Sequence, residues 1–104
     1  MNELDCIFIK TEDLTGFNKL RNEMDALNDN DYAEAYRLHK YAKGLYNRWS
    51  TILYQIRINE GKTIPKSPAL KDRVGQILKM IDDDHITSRM VWNKAADDLN
   101  QGKY

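Results

Sequence analysis

Apolar residues recur at intervals of three and four along almost the whole chain, the spacing of helix rather than strand. Leu14, Phe17, Leu20, Met24 and Leu27 form the first series. It follows Thr11, a candidate N-cap, and Glu12 and Asp13, which suit the positive end of a helix dipole, so a helix is predicted over residues 11–27. A second series opens at Asp31, which with Glu34 has the spacing of a capping box, and it meets no strong breaker before Gly61. Gly44, inside that run, costs only about 1 kcal/mol against Ala, an amount that packing can absorb. The prediction is one long helix within 31–60, of about 28 residues and roughly 42 Å from end to end.

Pro65 pushes Ile64 out of the helical region, and Ser67 followed by Pro68 reads as an N-cap with proline at the first helical position. A third helix is predicted over 68–81, with Leu70, Val74, Ile77, Leu78 and Ile81 as its apolar stripe. The run "DDDH", Asp82 to His85, then either caps a new helix over 85–101 or lies on the solvent side of a continuing one, and a solvated position is expected in both cases. The last segment carries Ile86, Met90, Val91, Ala95 and Leu99 as its stripe before Gly102, a natural stop. Cys6 to Ile9 is the one strand-like run, with no second strand within the chain to pair with, so residues 1–10 are assigned as an arm, with an intermolecular strand as the alternative for the run itself. These elements give an all-α fold in a single domain of 104 residues: an elongated helical hairpin or small three- to four-helix bundle with one long central helix.

Placed at 100° steps, Leu38, Ala42, Leu45, Trp49, Ile52 and Ile56 share one arc of roughly 80° on the long helix and form a heptad-like seam. Arg37, Lys40, Lys43, Arg48 and Arg57 fall on the remaining arc, with Tyr32, Tyr36 and Tyr54 among them. Those eight residues are the candidate partner-binding set. A seam of this length on so thin a core asks for a further helix to cover it, which points to self-association, as a dimer.

Charge changes the picture because it is segregated. The chain has net charge zero, yet residues 1–34 hold nine acids against three bases, residues 35–79 ten bases against two acids, and residues 80–104 five acids against three bases. Three readings of the basic, tyrosine-bearing side follow: a solvated helix exterior, docking against the acidic first helix, or an acidic partner held by Arg and Lys with Tyr rings as anchors.

Candidate chemistry is sparse. His39 and His85 are far apart in sequence and neither has a Cys or His at metal-ligand spacing. "DDDH" lacks the alternating ligands and glycine turn of a calcium loop, Cys6 has neither a neighbouring His nor a CxxC partner, and the five glycines never cluster into a phosphate-cradling loop. No metal, no cofactor and no catalytic residue is assigned. Thr87, Ser88 and Arg89 sit where a recognition helix would begin, but a long helix rather than a short one and a turn precedes them, and Asp97 and Asp98 would repel phosphates. The single cysteine, the acidic start and the absence of a long apolar run point to a soluble, cytoplasmic chain without a membrane role. The function expected is that of a non-enzymatic helical interaction protein, an adaptor, inhibitor or assembly factor meeting an acidic protein surface; the alternative is nucleic-acid binding through the same basic side.

Overall fold

The computed structural model describes the backbone of residues 4–101 and the side chains of residues 4–94. Three helices follow in order, α1 (Thr11–Asp25), α2 (Tyr32–Asn59) and α3 (Pro68–Gln101), giving the all-α hairpin that the periodicity predicts, with α1 laid across it. The molecule is a rod of 63 × 21 × 17 Å.

The starts of the helices show how each is capped. The N-cap of α1 is Lys10 rather than Thr11, because the Asp13 carboxylate reaches back to accept from the Lys10 amide (2.9 Å) and satisfies the first turn from inside the helix. Asp31 caps α2 by accepting from the Glu34 amide at 3.3 Å. The reciprocal half of the expected box is replaced: the Glu34 carboxylate accepts from Arg37, and the Asp31 amide donates to the Asn28 carbonyl (3.1 Å). Between α2 and α3 the chain turns tightly, with Gly61 at φ +78°, where a side chain would be strained, donating to the Ile64 carbonyl at 2.7 Å. Ser67 then caps α3 by accepting from the Leu70 amide (3.2 Å).

The core runs along the α2–α3 seam. Leu38, Ala42, Trp49, Ile52 and Ile56 are buried against Leu70, Val74, Ile77 and Ile81, and Phe17 and Leu20 of α1 close one side. The Phe17 ring meets Trp49 edge-on, centroids 6.4 Å apart. Burial on this scale contributes about 1.5–3 kcal/mol for each large aliphatic or aromatic side chain. The seam that sequence left uncovered is therefore covered within the chain, by α3 and α1. At Gly16 α1 and α2 approach closely: a Cβ there would lie 3.2 Å from both Leu45 and the Tyr41 hydroxyl, which donates to the Gly16 carbonyl (3.2 Å).

Two points left open by the sequence are resolved, and the expectations of a solvated Asp84 and of Ile86 and Met90 on the apolar stripe are corrected. Asp82 to His85 does not interrupt the helix, and α3 carries the phase of Leu70, Val74, Ile77 and Ile81 straight through it. That phase places Asp84 and Ser88 at buried positions, while Ile86 and Met90, expected on the apolar stripe, are exposed. Asp84 is thus no solvated cap; it accepts from Arg21 of α1 (2.6 Å). Residues 6–9 form a turn packed on the core, with the Ile9 amide donating to the Cys6 carbonyl (3.0 Å), and no strand is present among the described residues. Ala95, Leu99 and Gly102 lie outside the described side chains. No helix among the described residues is long and apolar enough to cross a membrane.

Candidate functional site

The eight residues singled out on α2 are divided by the tertiary structure between two sides of that helix. On the side facing α1, Arg48 grips Asp13 with two hydrogen bonds (2.9 and 3.0 Å) and donates to the Phe8 carbonyl (3.3 Å), so one guanidinium fastens both α1 and the N-terminal arm to α2. Burial pushes the Asp13 carboxyl up, but the bonds from Arg48 and the Lys10 amide, with their charge, outweigh it and hold the group below its ordinary value. Arg37 donates to Glu23 of α1 (2.8 Å) and to Glu34 one turn before it. Both arginines are committed to the acidic segment of their own chain.

The opposite side is different. Tyr36, Lys40, Lys43 and Asn47 of α2 line a cleft of about 350 Å³ that Trp92 of α3 closes. Tyr36 and Trp92 are both well exposed, at 42% and 38%, with ring centroids 5.1 Å apart. Lys40 lies 5.4 Å above the Tyr36 ring, a cation–π contact, and no ion pair engages either Lys40 or Lys43 among the described residues. Gly44 leaves the cleft floor open, since a Cβ there would meet nothing within 4 Å.

Behind the cleft the rings continue in series. His39 stacks on His85 of α3 (centroids 4.1 Å, planes 25° apart) and runs nearly parallel to Trp92 at 6.2 Å. His39 Nδ1 lies 3.3 Å from the His85 carbonyl, which can only accept, so Nδ1 carries the proton. The buried Ser88 hydroxyl, whose single proton goes chiefly to the Asp84 carbonyl (2.8 Å), lies 3.1 Å from the same His85 carbonyl and shares that proton with it. The sequence reading weighs the two histidines only as metal ligands, far apart, and does not single out Trp92. The usable signal lay in the hairpin: His39 and His85 are equally far in sequence from Lys62, in the turn, and antiparallel helices bring such positions level.

Toward the turn, Arg57 joins Lys71 and Lys79 around Gly75 in a wider groove of about 650 Å³, where Lys71 is paired with Glu60 (2.9 Å). Tyr54 is the most exposed of the candidate tyrosines at 63%, and Tyr32 is half-buried at the start of α2. Among the described residues no three His, Cys, Asp or Glu side chains converge as metal ligands would. Comparison with protein families, with characterised proteins and with solved structures gives no match to this chain.

Proposed function

We propose that this chain is a non-enzymatic interaction protein that holds an acidic protein surface in the α2–α3 cleft. The observation that carries the reading is the contrast between the two sides of α2: Arg37 and Arg48 are spent on internal ion pairs, whereas Lys40 and Lys43 flank an exposed Tyr36–Trp92 pair without acidic partners among the described residues. Tyr and Trp rings in a concave setting supply binding energy, and rim lysines select a partner of opposite charge and speed its approach.

The test is capture by the tagged full-length chain from its native cell, with nuclease-treated and untreated lysates side by side, for the parent, for Lys40→Glu with Lys43→Glu, and for Trp92→Ala. A protein that survives nuclease and is lost with both variants supports the reading, and its identity follows by mass spectrometry. A protein captured equally by all three overturns it. Nucleic acid is the second reading, favoured by the way the basic side continues past Tyr54 to Arg57 and Lys79. Its mark is nuclease-sensitive capture and affinity that falls by nearly one log unit per log unit of salt for each phosphate contacted. Self-association is read in the same samples by light scattering: a mass above the monomer that the double lysine reversal abolishes makes the acidic partner a second copy.

A further inference from the structure

We infer that the His39–His85 stack is a proton-sensitive joint: it holds Trp92 against Tyr36 while the His85 imidazole is neutral, and loosens the stretch of α3 from His85 to Trp92 when His85 takes up a proton. As a control on the cleft, it rests on the reading of that cleft as the binding site; as a property of the free protein, it does not.

The geometry carries the inference. The two imidazoles stack at 4.1 Å between α2 and α3, so a charge placed on one is felt directly by the other. His39 already donates from Nδ1 to the His85 carbonyl, so its neutral form satisfies that contact and leaves Nε2 free of a proton. His85 Nε2 is buried and finds no partner among the described residues, so a proton there would place a buried cationic N–H without an acceptor. The leading charges acting on His85 are Asp82 and Arg89 from its own helix and His39 and Lys43 from α2. Burial first, then His39, with Arg89 and Lys43 adding to it, holds the His85 imidazole below its ordinary value against the opposing pull of Asp82. A folded state that resists protonation loses stability relative to an unfolded one that does not, so the loss begins as pH falls through the ordinary histidine range near 6.5. The change reaches the cleft first, because Trp92 lies nearly parallel to His39 and meets Tyr36.

Two measurements on the free full-length chain test the joint. Urea midpoints at about pH 7.5 and about pH 5.5 are compared for the parent and for His85→Phe, whose ring keeps the stack and takes no proton. The parent midpoint is expected to fall by roughly 0.3 M more than that of the variant; equal falls overturn the inference. Independently of any variant, proton NMR of the parent follows both imidazoles and the Tyr36–Trp92 ring contacts through the same range. Loss of those contacts in step with an imidazole that titrates below the ordinary value supports the joint. Ring contacts that persist after the His85 imidazole has titrated overturn it. Neither measurement uses a partner, so a failed capture experiment leaves the joint intact and a failed titration leaves the cleft intact.

Discussion

Arg48 illustrates how one side chain settles the placement of two elements. Its guanidinium binds both oxygens of Asp13 and the Phe8 carbonyl, and the paired carboxylate is almost buried. Arg48→Ala removes hydrogen bonds to a charged, poorly exposed group and is expected to cost about 1.5–3 kcal/mol in urea unfolding at neutral pH. The sign with pH follows from Asp13. Its folded value is lowered, so its contribution is fully present above the unfolded value of roughly 3.9 and is lost as pH falls through the lower folded value. The gap between parent and Arg48→Ala should therefore narrow in strong acid; a gap that stays constant down to about pH 2 would show that the pair does not set it. Trp49 is the other decisive residue. Fully buried against Phe17, it should cost about 3–5 kcal/mol when cut to Ala, so a variant that melts like the parent would contradict its place in the core.

At the scale of the helix, α2 and α3 show what a continuous periodic pattern does to residues that look out of place. Gly44 sits in the interior of α2 with nothing within 4 Å of where a Cβ would be, so its flexibility is a cost that packing does not recover. Gly44→Ala should raise stability by about 0.5–1 kcal/mol, read as a higher melting temperature. A loss of stability would mean that the backbone at that turn is not the regular helix described. In α3 the same continuity buries Asp84 and Ser88. The Asp84 carboxyl is pushed above its ordinary value by burial, which the hydrogen bond and charge of Arg21 only partly offset. Ser88 is satisfied by donating to the Asp84 carbonyl at 2.8 Å. Polar residues hold these core positions because α1 delivers a cation to one and the helix backbone an acceptor to the other.

For the whole molecule, the segregated charges become two unlike sides of a rod. The acidic first segment is partly neutralised by Arg37 and Arg48, and the lysines of the far side are left facing outward. Reversing Lys40 and Lys43 to Glu should shift stability by no more than about 0.5 kcal/mol, since exposed charges contribute little to folding. Reversing Arg37 and Arg48 should destabilise the fold clearly more, because it sets like charges against Glu23, Glu34 and Asp13. Equal effects of the two double variants, measured by urea unfolding in the same buffer, would erase the distinction between the sides.

Local chemistry was enough for the elements. The three-four spacing of Leu38 to Ile56 and of Leu70 to Ile81, the Ser67–Pro68 start and Gly61 determined the helices and their antiparallel return, because hydrophobic period and turn residues act within a few positions of one another. Nothing local distinguishes Arg48 from Lys43, or says that Asp84 rather than Ile86 faces inward. The first depends on which side of α2 receives α1; the second depends on whether α3 runs unbroken through Asp82 to His85. The ring series His85, His39, Trp92 and Tyr36 belongs to the same class. Its members come from two helices, and only the register of the packed hairpin, set by the burial of the seam between them, brings them into contact.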